Sequence, residues 1–379
     1  MGSLWEIRKL IPDAAWSVGG SIRTVLPRSG SLSAIMYQAT VTPVNDARVA
    51  IEKWRLIDYL SKLEVKVNGS TVIKSMSGRL AHVEQWLDGG PAITDQHHNY
   101  GTSTLRSHGV LNFGRYFKDL VFGLPLDRFD SVEFTVTNDL AAAQSTSVPA
   151  LQVYGVFLRD APAGHFPAFM QTEEIRNWTT VQAATEYVKL QEKGRLRRIV
   201  MQADPYCTTA ANADTQIYNV LNNLRLTHRS GNIELYNGAT RDLWFAHLYE
   251  DSRTLLQGAE PYHTDGYGIR TGLGQTLYKT GLHMSQDNSQ STYAVDLEPG
   301  NDSSTQKRQA DADADTDSML FMGLGLENTF VWPYDTYGDI DLCPDLAIEK
   351  DVELECKTAD SSSAASGKIR VQTSRLMVP

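Results

Sequence analysis

The chain repeats its own order of elements. Residues 56–87 read LIDYLSKLEVKVNGSTVIKSMSGRLAHVEQWL, and residues 219–251 read NVLNNLRLTHRSGNIELYNGATRDLWFAHLYED. In each, an apolar strand runs into a tight turn, Asn68-Gly69 in one and Ser230-Gly231 in the other. A short strand follows (Thr71 to Ile73; Ile233 to Leu235), and a glycine (Gly78; Gly238) opens a short helix. A second matched pair lies further on: DLVFGLPLDRFDSVEFTVT at 119–137 and DIDLCPDLAIEKDVELECK at 339–357. Asp119, Leu120, Val132, Glu133 and Phe134 align with Asp339, Ile340, Val352, Glu353 and Leu354. A small-residue loop follows each (139–148; 359–366), then a closing strand (151–159; 368–377). The two glycine turns are 162 residues apart (231 − 69), whereas the second pair is offset by 220 (339 − 119). The second copy therefore carries an insertion, placed within 251–326, where polar and glycine-rich sequence predicts a surface excursion.

Period-two alternation gives the fold class. Val132, Phe134 and Val136 alternate with polar residues, as do Val352, Leu354 and Cys356, and Ile369, Val371 and Thr373. Such spacing puts the apolar members on one face of a strand, against a core. Frequent Gly, Pro, Ser, Thr and Asn between these runs complete an all-β texture. Helical spacing is confined to Leu80, Val83 and Leu87, to Leu243, Trp244, His247 and Leu248, and to an amphipathic turn at Leu4, Ile7, Arg8 and Ile11 before Pro12. Residues 168–190 admit either helix or strand. In the Asn68-Gly69 turn, Asn supplies the positive φ of a type I′ hairpin.

Two successive β-domains built in this order resemble the double jelly-roll major capsid proteins of the adenovirus-like and tectivirus-like lineage. The motifs that carry the resemblance are LIDYLSKLEVKVNGSTVIKS, the short helix after it, and GLPLDRFDSVEFTVT. EYVKLQEKGRLRRIVMQAD at 186–204 is similar to the re-entry into the second barrel. The resemblance spans about residues 20–379, and the length is closer to prokaryotic-virus members. It implies two tandem jelly-roll β-barrels: an N-terminal arm at 1–19, a first barrel at 20–165, a linker at 166–190, and a second barrel at 191–379 carrying the long loop 251–326. It further implies a structural protein of the virion capsid, assembled in the host cytoplasm, with no enzymatic activity and no cofactor. Its partners would be two further copies in a homotrimeric, pseudo-hexagonal capsomer, neighbouring capsomers and minor capsid proteins. A trimer of double barrels presents six similar edges and tiles a hexagonal lattice. The arm, with Trp5, Ile7, Leu10, Ile11 and Trp16 beside Arg8 and Lys9, is expected to reach a neighbouring subunit or an inner membrane. The alternative is that it packs beneath its own barrel.

Composition and motifs agree with a non-catalytic role. Of 379 residues, 35 are basic and 45 acidic, a net charge of −10, which disfavours wrapping nucleic acid. No run approaches the roughly 20 apolar residues of a membrane span, and MGSLWEIRKLIPDAAW lacks the apolar core of a secretory signal. Cys207, Cys343 and Cys356 are too scattered for a disulfide framework or a zinc site. Asp95-Gln96-His97-His98 carries metal-ligand chemistry, but on a Gly/Asn/Thr-rich stretch it reads as solvated surface. Asp311, Asp313, Asp315 and Asp317 fail the calcium-loop pattern, because Thr316 and Met322 stand where Gly and Glu are required. Gly266, Gly268, Gly272 and Gly274 miss the dinucleotide fingerprint at Thr271. Glu173-Glu174 and Glu250-Asp251 are sequence neighbours that point to opposite strand faces, not a facing pair of catalytic carboxylates. The sequons at Asn68, Asn177 and Asn301 need a secretory route to matter. The tryptophans, at 5, 16, 54, 86, 178, 244 and 332, do not alternate with basic residues as a nucleic-acid platform would. The competing classes are a tandem jelly-roll carbohydrate-binding or carbohydrate-active protein, with Tyr262, Tyr267 and Tyr278 stacking on sugar, and a minor capsid or spike protein.

Overall fold

The computed structural model describes residues 4–42, 56–91, 95–96, 104–141, 149–204, 217–243, 255–259, 273–284, 316–335, 339–361 and 364–379. The strands of the first half are β1 (Trp5–Ala15), β2 (Ser21–Val25), β3 (Ser31–Val41), β4 (Leu60–Val67), β5 (Thr71–Met76), β6 (Asp95–Gln96), β7 (Leu105–Asn112), β8 (Leu124–Pro125), β9 (Val132–Asn138) and β10 (Ala150–Leu158). Those of the second half are β11 (Phe169–Thr179), β12 (Thr185–Lys189), β13 (Arg195–Asp204), β14 (Leu221–His228), β15 (Ile233–Ala239), β16 (Leu255–Ala259), β17 (Leu273–Met284), β18 (Thr316–Leu326), β19 (Thr329–Pro333), β20 (Glu353–Thr358) and β21 (Lys368–Met377). A ten-residue helix, α1 (Gly78–Leu87), follows β5, and a short one, α2 (Leu346–Glu349), precedes β20.

In the first half the sheet β1-β10-β3-β7-β6, with β8 on β3, faces the strands β2-β9-β4-β5. In the second half β11-β21-β13-β19 faces β12-β20-β14-β15. Apart from the two-residue strands β6 and β8, the two orders correspond strand for strand, so the molecule is a double jelly roll. Each half encloses its own core. Ile35, Tyr37, Leu63, Val65, Phe134 and Val153 fill the first, and Ile199, Met201, Leu224, Leu226, Leu354 and Val371 the second. The alternation at 132–136 and 353–358 faces inward as its spacing predicts.

The correspondence extends to the irregularities. A bulge adds one residue to a strand and bends it. The register between β1 and β10 shifts at Leu10, and that between β11 and β21 at Ile175. The β3–β10 pairing shifts at Ser33, and β13–β21 at Arg197. The β4–β9 pairing shifts at Ser61 and β14–β20 at Asn222, while β4–β5 shifts at Ile73 and β14–β15 at Leu235. Each of these four bulges thus occupies the same place in both barrels, with aliphatic residues at Leu10/Ile175 and Ile73/Leu235 and polar ones at the other two pairs, whereas a second shift in β1, between Ile11 and Ala14, has no counterpart in β11.

Strand direction sorts the connections. The β2–β3, β4–β5 and β7–β9 links lie at one end of the first barrel, and hydrogen bonds join them: Asn68 N to Ser131 O, and Leu126 N to Gly30 O. In the second barrel Arg229 N donates to Lys350 O and Leu346 N to Gly194 O at the equivalent end. Asn68 and Gly69 both have positive φ, 51° and 76°, as the type I′ turn requires.

Four sequence expectations need correction. Residues 4–16 are not an arm or an amphipathic turn but the first strand of the first barrel: β1 pairs with β10 along its length, and Ile11 and Trp16 enter the core. Pro12 does not stop it, because it falls at a register shift on an edge strand, where a missing N–H is tolerated. Nor is 166–190 a linker: β11 pairs with β21 and β12 with β20, repeating β1–β10 and β2–β9. Gly238 lies within β15, and the helical turn begins at 240. Within 251–326, the described segments β16, β18 and β17 form a three-stranded sheet, and β18 ends with Leu326 buried in the core.

Candidate functional site

The edge of β5 pairs in parallel with β11, Lys74 opposite Thr172 and Ser75 opposite Glu173. This contact fuses half of each barrel into one eight-stranded sheet, β19-β13-β21-β11-β5-β4-β9-β2. Beside it lies α1. Ser77 caps the helix by accepting from Leu80 N. Leu80, Ala81 and Val83 belong to the first core. The opposite flank, with Arg79, Glu84 and the following Asp88, meets the second barrel.

A buried ionic network fills this seam. Arg198, on β13, donates through Nη2 to the Glu84 carboxylate and at 2.6 Å to Asp88 Oδ1. Arg197 Nη1 donates to Asp88 Oδ1 at 2.7 Å, its Nε to Asp335 Oδ2 at 2.5 Å, and its Nη2 to the Arg115 carbonyl at 3.1 Å. Gln372 Nε2 completes Glu84 at 2.9 Å. At the other end of α1, Arg79 donates to Glu327 Oε2 at 3.0 Å and to Asp204 Oδ2 at 2.9 Å, and His82 Nδ1 lies 2.9 Å from Glu327 Oε1. The side chains of Arg197 and Arg198 are 5% and 4% exposed, so water does not screen these pairs. Burial alone would push the Asp88 carboxyl up, but Arg198 and Arg197 outweigh it and hold it below the usual carboxylate range. Lys74 Nζ donates to Thr172 Oγ1 at 2.8 Å, and burial pushes its pKa down to about 8 against the pull of Glu84 and Asp88. The arrangement fixes one barrel against the other; removing one member of such a network leaves a buried charge uncompensated.

A second feature lies at the turn end. Between β7 and β8, Asp119 is fully buried and accepts from Arg115 Nε (2.8 Å), Arg115 N (3.0 Å) and Val121 N (2.9 Å). Its pKa lies below the usual range, because the Arg115 and backbone hydrogen bonds outweigh its desolvation. The loop so braced presents Tyr116, Phe117, Leu120 and Val121 to solvent, with Leu342 and Ile348 exposed on the equivalent connection of the second barrel.

Of the residues weighed from sequence, Glu173 and Glu174 lie on β11 and take Arg375 and Arg370 respectively, so they are structural ion-pair members. Asn177 is on the same strand. Asp95 and Gln96 form β6; His97 and His98 lie outside the described residues, as do Asp311, Asp313, Asp315, Gly266, Gly268, Gly272, Glu250, Asp251, Tyr262, Tyr267, Asn301, Cys207, Trp54 and Trp244. Asp317 is on β18, and Gly274 and Tyr278 are on β17. Trp16 is core, with its indole N–H donating to Gly20 O. Cys343 and Cys356 are buried free thiols, each pushed up to about 12 by burial. Among the described residues no His/Cys/Asp/Glu group is arranged to hold a metal, and no helix is long and apolar enough to cross a membrane. Sequence reasoning missed the seam. Its one visible sign was Arg197-Arg198 running straight into the apolar Ile199-Val200-Met201 of β13.

No family model matches the chain, and no curated protein matches it. Solved structures do. The major capsid protein of Sulfolobus turreted icosahedral virus superposes with a TM-score of 0.57 at 11% identity, over 99% of this chain and 97% of that one. A chain of the PBCV-1 virus capsid gives 0.58 at 9% identity, over 98% and 93%. The major capsid protein of bacteriophage PM2 gives 0.51 at 11% identity, over 98% and 97%. The chain therefore has the fold of double jelly-roll major capsid proteins, from end to end.

Proposed function

We propose that this chain is a viral major capsid protein, a non-catalytic subunit of an icosahedral virion shell. Three copies close into a pseudo-hexagonal capsomer, which meets neighbouring capsomers and minor capsid proteins. The first barrel occupies 4–158 and the second 169–377. One observation carries the reading: two barrels with the same eight-strand order are locked into a single unit by a shared sheet and a buried ionic seam. Such a unit presents repeated edges at fixed angles, which is what lattice tiling demands and what catalysis does not. The test is sedimentation and negative-stain electron microscopy of the expressed protein. Trimers and shell-like particles are expected; a protein that stays strictly monomeric at high concentration overturns the proposal.

A further inference from the structure

The joint within the chain is a template for one between chains. β5 of the first barrel offers its outer edge to β11 of the second. The counterpart of β5 is β15, and the counterpart of β11 is β1. Among the described residues, β15 pairs only with β14, and β1 only with β10. Each thus leaves one edge of backbone N–H and C=O groups without a strand partner. Exposed edges of this kind invite pairing with another chain. Within one molecule the same two edge types have already paired.

The matched bulges fix the equivalence residue by residue. Ile73 and Leu235 are corresponding extra residues, so Lys74 corresponds to Tyr236 and Ser75 to Asn237. Leu10 and Ile175 correspond likewise, and the pairings with β10 and β21 place Ile7 at Thr172 and Arg8 at Glu173. We propose that β15 of one copy pairs in parallel with β1 of the next, with Tyr236 opposite Ile7 and Asn237 opposite Arg8. This deepens the shell-subunit reading and rests on it.

Two observations support the pairing. Ile7 is 54% exposed, and Ile233 and Leu235 are 37% and 39% exposed, so both edges carry apolar surface that the joint would cover. The chemistry also prevents the wrong exchange. Lys74 Nζ needs the acceptor that Thr172 provides, whereas β1 would set Ile7 against that buried ammonium. Tyr236 faces no such penalty against Ile7. β5 is therefore matched to β11 of its own chain, which leaves β1 for the β15 of a neighbour. The joint is head-to-tail, so copies joined through it close into a ring or grow as a helix, according to the rotation between them.

The test is an engineered disulfide. Arg8→Cys with Asn237→Cys, in a Cys207→Ser background, places thiols at two exposed positions of the proposed register. On mild oxidation the double variant should give reducible, covalently linked chains up to the size of the whole oligomer, and each single variant none of these rings. The out-of-register pair Glu6→Cys with Asn237→Cys should link about tenfold less, because bridging fails beyond about 7 Å between Cα atoms. An oligomer that sediments normally but does not cross-link at 8 and 237 overturns this joint and leaves the shell reading standing. Absence of any oligomer overturns both.

Discussion

Lys74 shows how a single residue records the architecture. An ammonium is buried where two barrels meet because two carboxylates and a threonine hydroxyl lie around it. Its folded pKa of about 8 lies below the ordinary 10.5, so between these values the unfolded chain holds a proton that the folded chain has released. Stability from this group therefore rises with pH across that window, and below pH 8 the buried charge costs most. Lys74→Met removes that cost. Relative to the parent, the variant should be most favoured below pH 8, and its advantage should shrink by up to about 3 kcal/mol as pH approaches 10.5. Urea melts at pH 7 and pH 10 measure this; a difference that does not vary with pH contradicts it.

Elements tell a different story, because they are where sequence and structure part. The inner strands were legible: β9, β20 and β21 have neighbours on both sides or a face fully against the core, so alternation survives in their residues. The hairpins were legible through Asn68-Gly69 and its partner turn. The edge strand β1 was not. Its residues 6–9 are exposed on both faces, so no alternation marks it, and Pro12 reads as a stop unless the register shift beneath it is known. β11 was lost for the opposite reason. Its edge is paired with the other barrel, so polar Gln171 and Thr172 are both buried and Glu173 is half-buried, which erases the alternation. The duplication stated in the hairpins could have repaired both, since a first strand found in one barrel demands one in the other. Deleting residues 2–17 should therefore unfold the first barrel, since it removes Ile11 and Trp16 from the core and strips β10 of a neighbour. Circular dichroism and proteolysis read the outcome; a truncated protein that keeps its fold and fails only in assembly would restore the arm.

For the whole molecule the seam sets how far the barrels act as one. Arg198→Met leaves Glu84 and Asp88 without their main donor and should cost about 3–5 kcal/mol. Where the parent melts in one transition the variant should show two, one for each barrel, in differential scanning calorimetry. An unchanged single transition would mean that the shared sheet alone couples them. The seam also bears on synthesis. Translation delivers the first barrel before β11 exists, and domains fold as they emerge. In that interval the face awaiting the second barrel shows Arg79, Glu84, Asp88 and Lys74 beside the apolar residues that Phe169, Val200 and Leu326 later cover. Water solvates the charged groups, so we predict that the half-made chain is less prone to cling to its neighbours on crowded polysomes. On the shell-subunit proposal many copies are made at once, and a charged seam keeps each nascent chain to itself until its own second half arrives to neutralise it.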